Sequence, residues 1–186
     1  MKWVLATAIL LLTPVACFAA PGWTVETAES SLGFQVSQGG GNVEGVFRRF
    51  EAKIAFDPDD LATSRVQVSI DVASITTGAA DRDQELPKPD WFDTARFPRA
   101  TFTAETFRAL GNGDFVADGS LMLRDTKLAV TLPFKLDLLG NGIASIQGKV
   151  DIDRTAFGIG QGAWATSDIV GRKVTVVVRL KAHRDN

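Results

Sequence analysis

After residue 22, hydrophobic and polar residues alternate along most of the chain with a period of two. Such alternation places every second side chain on the same face of a β-strand, whereas an amphipathic helix would need a period of 3.6 residues. The pattern therefore predicts about eight strands, each with one apolar and one polar face. The predicted strands cover residues 32–37, 50–56, 65–72, 100–104, 115–123, 128–138, 144–152 and 173–181.

The turns between these strands favour an antiparallel arrangement. Gly111-Asn112-Gly113-Asp114 and Gly140-Asn141-Gly142 are typical of hairpins, because glycine and asparagine adopt positive φ angles at little cost. Pro133 lies inside the sixth strand and cannot donate a backbone hydrogen bond, so it predicts an edge or a bulge there. One-sided strands joined mainly by hairpins predict a single all-β domain, and closure into an eight-stranded antiparallel barrel is favoured because it removes exposed edges.

Two long connections interrupt the alternation, at residues 73–99 and 154–171. Residues 81–86 and 90–93 of the first connection are predicted to form one or two short helical turns with aspartate caps. Connecting loops are usually polar, so the aromatic residues in these two connections need a structural reason. We expect them either to plug an end of the barrel or to surround the entrance to a cavity; they are Trp91, Phe92, Phe97, Phe157 and Trp164.

The N-terminal segment is typical of a secretory signal peptide. Lys2 precedes an apolar run over residues 3–12, and small residues follow up to Ala19. The apolar run is too short for a membrane-spanning helix, which needs ~20 such residues. We expect a signal peptide of residues 1–19 and a mature domain of residues 20–186. The motif Pro14-Val15-Ala16-Cys17 loosely resembles a bacterial lipobox, which would make its cysteine a lipid anchor, but proline stands where that motif has leucine.

Composition removes several classes of function. The chain has 186 residues, of which 12 are Phe, one is Cys, one is His and none is Tyr. Cys17 belongs to the predicted signal peptide, and His183 belongs to a C-terminal tail that we expect to be mobile. The mature domain is therefore predicted to hold no disulfide, no zinc site and no His-based catalytic triad, and the formal charge of −2 gives no basic surface for nucleic acid. Export without structural cysteines indicates the bacterial periplasm.

The pattern leaves open whether the barrel is filled or hollow. An eight-stranded barrel is either packed by its own side chains or holds one small ligand, as in lipocalins. Small inward-facing residues either leave room for a ligand or accommodate Phe from the opposite wall; they are Ala52, Ala100, Ala104, Ala117, Gly119 and Gly148. An interior rich in Phe and without Tyr favours hydrocarbon, and burial of ten methylene groups contributes about 8 kcal/mol before ordering costs.

A set of short motifs runs in order along the whole predicted mature chain. The motifs are Trp23-Thr24-Val25, Ser31-Leu32-Gly33-Phe34, Gly45-Val46-Phe47-Arg48-Arg49-Phe50, Phe56-Asp57-Pro58-Asp59-Asp60-Leu61, Thr77-Gly78, Arg82-Asp83, Leu86, Asp90-Trp91-Phe92-Asp93, Phe97-Pro98-Arg99-Ala100-Thr101-Phe102, Gly119-Ser120-Leu121 and Asp153-Arg154-Thr155-Ala156-Phe157-Gly158-Ile159-Gly160. Their order and spacing resemble the YceI family of bacterial lipid-binding proteins. The resemblance implies an extended, lipocalin-like barrel that carries a polyisoprenoid in the periplasm, with the tail inside the barrel and the head near its mouth.

Two segments depart from the family pattern. Family members often have Leu-Thr-Ile-Arg-Gly-Val-Thr-Lys-Pro-Val after the fifth strand, whereas residues 121–130 lack that glycine and proline, so the geometry of this turn stays open. Many members carry His or Lys after a Phe-x-Val strand, where this chain has Gln38-Gly39-Gly40-Gly41. The absence of a charge there slightly favours a neutral quinone head over a pyrophosphate.

Two arginine–aspartate pairs match positions of the family motifs. They are Arg82 with Asp83 and Arg154 with Asp153. We expect each to be a structural ion pair that holds a loop, rather than a contact to a ligand.

The leading hypothesis is a non-catalytic periplasmic binding protein for an isoprenoid lipid, either a prenyl quinone or a polyprenyl phosphate. It predicts no metal and no cofactor other than the bound lipid, and a quinone would connect the protein to a membrane redox partner. The predicted cavity lining is Phe34, Val36, Phe47, Phe50, Ile54, Val68, Ile70, Phe102, Leu121, Leu123, Leu132, Phe134, Phe157 and Ile159, and the predicted entrance is Trp91, Phe92, Phe97 and Trp164. The alternatives are an enzyme that acts on a lipid head group and a ligand-free barrel that serves as an interaction or stress-response module.

Overall fold

The computed structural model describes residues 19–166 and 169–185. Residues 1–18, which hold most of the predicted signal peptide and its cysteine, lie outside the described residues. Eleven strands of the described chain belong to one antiparallel sheet. They are β1 (Gly22–Val25), β2 (Ser31–Gln38), β3 (Gly41–Phe47), β4 (Phe50–Ala55), β5 (Arg65–Asp71), β6 (Ile75–Thr76), β7 (Arg99–Gly111), β8 (Asp114–Leu123), β9 (Thr126–Gly140), β10 (Ile143–Asp153) and β11 (Val170–Arg184).

The eleven strands form eight long strands of a closed barrel, because three pairs of short strands continue one another. β1 continues into β2, and both pair with β11. β3 continues into β4, where β3 pairs with β2 and β4 pairs with β1. β5 continues into β6, where β5 pairs with β4 and β6 pairs with β3. Trp23 of β1 faces Ile54 of β4 on one side and Arg184 of β11 on the other, which closes the ring. The predicted eight-stranded antiparallel barrel is confirmed.

The alternation pattern missed three short strands and half of a long one. β1, β3 and β6 were not among the predicted strands, and the strand predicted at residues 100–104 continues to Gly111. The pairing of β7 with β8 shifts register between Ala104 and Thr106 and again between Ala109 and Gly111. Each shift inserts one residue and changes which face the following side chains occupy, so the period of two is lost there.

The two ends of the barrel differ in the connections that they carry. The upper end, as we name it, carries the long connections at residues 77–98 and 154–169, and the lower end carries the hairpins at residues 111–113 and 140–142. Helix α1 (Ala80–Glu85) lies in the first long connection and confirms the helical turn predicted there. The predicted aspartate cap was wrong for α1, because its N-cap is Ala79, which makes no side-chain cap bond.

The C-terminal strand includes the histidine that was expected in a mobile tail. β11 continues through Ala182, which is completely buried, to Arg184. His183 therefore pairs with Thr24 on one side and with Ile143 on the other. The expectation of a mobile tail was wrong, because the alternation of β11 extends past the last residue that was assigned to it.

Pro133 interrupts the hydrogen bonding of the barrel wall between β9 and β10. The Leu136 N–H donates to the Gly113 carbonyl on the β8 side, so by alternation the backbone nitrogen of residue 133 faces β10. Proline has no N–H to donate, and the paired register of β9 with β10 ends at Phe134 and Gly148. The upper half of β9 is therefore not an edge of the sheet, since β8 pairs with residues 126–135, but it has no paired neighbour on the β10 side.

Candidate ligand-binding site

The interior of the barrel contains two adjoining cavities. The lower one, which we name the inner cavity, has a volume of about 160 Å³, and the upper one, the outer cavity, has a volume of about 280 Å³. Both cavities share five lining residues at the middle of the barrel, which are Leu32, Ile70, Leu121, Ile152 and Val176. We name these five residues the waist. The two cavities meet at these five apolar side chains.

The inner cavity is lined by apolar side chains and glycine alone. Ala52 and Ala117 are among the small residues that border its space. Gly148 and Gly119 instead accommodate side chains of neighbouring strands, because a Cβ at Gly148 would lie 3.2 Å from Leu132 and one at Gly119 would lie 2.8 Å from the ring of Phe102. The small inward residues therefore both leave room and accommodate Phe, and the barrel is hollow.

The outer cavity combines an apolar wall with polar side chains near α1. Asp81, Arg82 and Glu85 of the helix line it, together with Gln38 and Thr77. The Nε–H of Arg82 donates to the Thr77 hydroxyl over 3.2 Å, and within the described chain no carboxylate lies within 4.0 Å of its guanidinium. Arg82 is half-buried, so this end of the cavity presents a cation with unused donors.

Asp83 fixes the start of α1 to the strand before it. Its carboxylate accepts hydrogen bonds from the Thr76 hydroxyl at 2.6 Å and from the Thr77 N–H and hydroxyl, each at 2.7 Å. These bonds lower the pKa of Asp83, with the Thr76 hydroxyl as the largest cause. The expected ion pair of Arg82 with Asp83 was wrong, because the two neighbours bond to threonines instead of to each other.

Arg154 holds the second long connection from inside. Its side chain is 2% exposed, and all five guanidinium N–H donors reach backbone carbonyl oxygens over 2.7–3.0 Å. The carbonyls belong to Ile159, Gly160, Trp164, Val170 and Gly171. Burial lowers the pKa of Arg154, although a guanidinium stays protonated at neutral pH.

The expected ion pair of Arg154 with Asp153 was also wrong. The Asp153 carboxylate accepts from the Thr155 N–H and hydroxyl and forms its salt bridge with Arg172 at 2.8 Å. A structural role for Arg154 was the right interpretation, but the partners are peptide carbonyls of the loop.

The turn between β8 and β9 joins the two long connections. Arg124 occupies this turn with φ of 55° and donates hydrogen bonds to the carbonyls of Trp91 at 2.8 Å and Gly158 at 2.5 Å. Its guanidinium also lies 5.6 Å from the ring centre of Phe97. The departure of residues 121–130 from the family pattern therefore leaves a tight turn, in which an arginine takes the positive φ that a glycine would adopt more easily.

Trp91 joins the aromatic wall of the outer cavity to this network. Its ring lies 5.5 Å from that of Trp164, and the Arg154 guanidinium lies 5.8 Å from its ring centre. The Trp91 indole N–H is buried and has no hydrogen-bond acceptor among the described residues. A buried N–H without a partner is costly to stability.

Comparison with known proteins identifies the family of this barrel. The YceI-like domain matches residues 23–182. The chain belongs to the YceI-like family. Among relatives, a UPF0312 protein of Shewanella denitrificans is 35% identical over 135 residues, which cover 71% of this chain and 69% of the relative. A UPF0312 protein of Vibrio cholerae is 27% identical over 160 residues and covers 82% and 84% of the two chains.

Solved structures share this YceI-like barrel. Burkholderia cenocepacia BcnA superposes with a TM-score of 0.81 at 30% identity, over 84% of this chain and 98% of its own. A Campylobacter jejuni YceI protein superposes with a TM-score of 0.69 at 22% identity, over 78% and 87%. A polyisoprenoid-binding domain from Saccharophagus degradans superposes with a TM-score of 0.71 at 17% identity, over 89% and 99%. The last two likenesses concern the fold alone.

The YceI-like barrel brings sixteen of the eighteen predicted site residues onto the walls of the two cavities. The inner cavity includes Phe50, Ile54, Val68, Phe102, Leu132 and Phe134, and the waist includes Ile70 and Leu121. The outer cavity includes Phe34, Val36, Phe47, Trp91, Phe92, Leu123, Ile159 and Trp164. Their contact with a ligand remains a prediction.

Two predicted site residues of the YceI-like chain lie outside both cavities. Phe157 is 2% exposed and packs in the upper core, because the turn that follows β10 directs it away from the cavity space. Phe97 is half-buried beneath Arg96 and Arg124, with ring-centre distances of 5.0 and 5.6 Å. The two rings support the upper connections instead of lining the space between them.

Sequence reasoning missed the polar wall of the outer cavity and three of the waist residues. Gln38, Thr77 and Arg82 were not assigned to the site because a polar residue in a loop gives no signal of the direction it faces. Leu32, Ile152 and Val176 were recognised as inward-facing strand residues, but nothing in the alternation distinguishes a residue at the waist from one elsewhere on the wall. In the described parts of the chain, no group of three or more His, Cys, Asp or Glu residues could hold a metal ion, and no helix is long and apolar enough to cross a membrane.

Proposed function

We propose that this protein is a non-catalytic periplasmic carrier for an isoprenoid lipid, whose tail occupies the two joined cavities. The observation that carries the proposal is the waist, where five shared residues connect an apolar inner cavity to an outer cavity with a polar margin. Each methylene group buried there contributes about 0.8 kcal/mol, so a long tail needs no strong polar contact to be held.

The polar margin favours a head group that carries hydrogen-bond acceptors. Arg82 has unused donors beside the outer cavity. A quinone carbonyl or a phosphate oxygen would accept hydrogen bonds from its guanidinium. We favour a neutral prenyl quinone, because Asp81 and Glu85 line the same part of the cavity and would oppose a highly charged pyrophosphate. A quinone ligand would give the carrier a membrane redox protein as its partner.

The similarity to known proteins supports a binding role over a catalytic one. The Saccharophagus degradans neighbour is described as a polyisoprenoid-binding domain, and its barrel superposes over 89% of this chain. The histidine of the chain lies outside both cavity walls, beside Glu26. The N-terminal pattern typical of a signal peptide supports a periplasmic location for the proposed carrier.

The direct test is to purify the exported protein from its native host, extract it with organic solvent and analyse the extract by mass spectrometry. We expect a prenyl lipid in near-equimolar amount. A clean extract, together with no binding of added prenyl quinone or polyprenyl phosphate, would contradict the proposal. Turnover of either lipid by the purified protein would support the enzyme alternative instead.

A pair of neighbouring substitutions tests whether the cavity is the binding site. Ala52→Phe places a ring inside the inner cavity, and we expect it to weaken binding of a prenyl quinone by about tenfold or more, equivalent to about 1.4 kcal/mol. Glu51→Phe adds the same ring to the outer, exposed face of the same strand and is expected to leave affinity unchanged. Equal effects of the two variants would place the ligand elsewhere.

A further inference from the structure

We infer that the phenylalanines at the lower end of the inner cavity form a floor that sets the longest isoprenoid tail the barrel accepts. The floor consists of Phe56, Phe107 and Phe134, which line the cavity, with Phe115 behind them. This inference rests on the proposed function, because it concerns the tail of the same ligand. It adds a length limit and the residues that impose it.

The four rings form one interlocked cluster across the barrel. Phe56 makes edge-to-face contacts with Phe107, Phe115 and Phe134, with ring centres 5.3, 5.4 and 5.8 Å away. Phe115 and Phe134 stack with ring centres 5.6 Å apart. Because the rings come from the end of β4 and from β7, β8 and β9, the cluster reaches across the barrel at its lower end instead of lining one side.

The backbone around Phe56 is fixed from both sides. The Phe56 N–H donates to the Pro21 carbonyl, and the Phe56 carbonyl accepts from the Trp23 indole N–H, each over 3.0 Å. The next residue, Asp57, donates its N–H to the hydroxyl of fully buried Ser64, also over 3.0 Å. A tail that pressed on Phe56 would have to break several of these bonds to move it, so the backbone that carries this ring is held against the barrel.

The size of one ring matches the repeat of the ligand. An isoprene unit contributes five carbon atoms, and replacing phenylalanine by alanine removes the six carbons of the ring. One such substitution in the floor would therefore make room for about one further unit, provided that the cavity left behind does not collapse. A larger ring at the same place would exclude one unit.

The experiment offers the purified, delipidated protein an equimolar mixture of prenyl quinones that differ only in tail length and measures the bound distribution by mass spectrometry. We expect the wild type to select a limited range of lengths. Phe107→Ala is expected to shift the longest bound tail up by one C5H8 unit, and Phe107→Trp to shift it down by one.

Controls separate a length limit from general damage. Phe97→Ala makes the same chemical change at the other end of the barrel, outside both cavities, and should leave the distribution unchanged. If Phe107→Ala does not fold, Phe134→Leu provides the milder enlargement of the floor, with circular dichroism to confirm the fold. An unchanged distribution in folded floor variants, or equal binding of all lengths by the wild type, overturns the floor but leaves the carrier; absence of binding to the wild type overturns the carrier itself.

Discussion

The two ends of the barrel are held together by different interactions. The lower end is closed by four packed phenylalanine rings, and the carbonyls of Gly113 and Gly142 in its hairpins accept hydrogen bonds from backbone N–H groups of neighbouring strands. The upper end is crossed by long irregular connections, whose carbonyls need partners from side chains. Arg154 provides five of those partners and Arg124 provides two.

Because of this difference, the interior of the barrel has polar side chains at its upper end and is apolar at its lower end. Polar side chains that stabilise an irregular connection also border the space beneath it, so the outer cavity acquires Arg82 and Thr77. Tight hairpins need no such groups, and the inner cavity remains entirely apolar. A ligand with a polar head and a hydrocarbon tail would therefore bind with its tail toward the lower end. The same difference predicts distinct responses of the two ends to mutation and to pH.

The largest effect is expected at the upper end. Arg154→Ala leaves five buried carbonyls without donors, and we expect it to lower the free energy of unfolding by about 4 kcal/mol. Arg154→Lys keeps the charge and three donors and should cost less. Denaturant titration measures both. Arg172→Ala, which removes only the exposed salt bridge to Asp153, should cost less than about 1 kcal/mol, and an equally small effect of Arg154→Ala would contradict this account.

At the lower end the cost should come from lost packing. Phe115→Ala removes a buried ring that stacks on Phe134, and we expect it to lower the free energy of unfolding by about 3 kcal/mol, with no dependence on pH. The measurement is the same denaturant titration at two pH values. Leu110→Ala is the matched control, because Leu110 is 62% exposed near the same hairpin and its loss should stay within about 0.5 kcal/mol. Similar losses in both variants would show that the ring cluster does not stabilise this end.

Acid should weaken the upper end through Asp83. Because its folded pKa is lowered, Asp83 contributes stability at pH values above its unfolded pKa of about 3.9, and that contribution is lost as the pH falls through the folded pKa. Asp83→Asn should cost about 1–2 kcal/mol at pH 7, since the carboxylate accepts three hydrogen bonds. The difference between wild type and variant should shrink toward pH 2. A difference that is constant with pH would show that the charge of Asp83 contributes nothing.

The barrel could be predicted from the sequence because period-two alternation shows which face of each strand is buried. Val174, Val176, Val178 and Leu180 occupy every second position of β11, and the structure has all four on the cavity walls as that pattern implies. β7 shows where this reasoning ends, because two bulges each change the face and nothing in residues 105–111 marks them. Period-two reasoning therefore fails wherever one strand has an extra residue relative to its neighbour.

The upper end was harder to predict, for a physical reason. The aromatic residues of the connections signalled that something is buried there, and Trp91, Phe92 and Trp164 do line the outer cavity. The partners of Arg154 could not be foreseen, since backbone carbonyls are the same at every residue and only the path of the loop selects five of them. Sequence neighbours suggested ion pairs, but a buried guanidinium is satisfied equally well by peptide groups.

The smallest expected effect on stability lies at Pro133, where the paired lower halves of β9 and β10 meet their unpaired upper halves. Pro133→Val supplies the N–H that faces β10, so the ladder can extend upward by one residue pair, to the position opposite Lys149. The new hydrogen bond contributes about 0.5–1.5 kcal/mol, while loss of proline costs about 0.4–1 kcal/mol through the unfolded chain, so net stability should hardly change. Hydrogen exchange should nevertheless show that the new amide of residue 133 is protected. Rapid exchange of that amide, with the fold intact, would show that the upper halves of β9 and β10 are separated by the curvature of the barrel rather than by the missing donor.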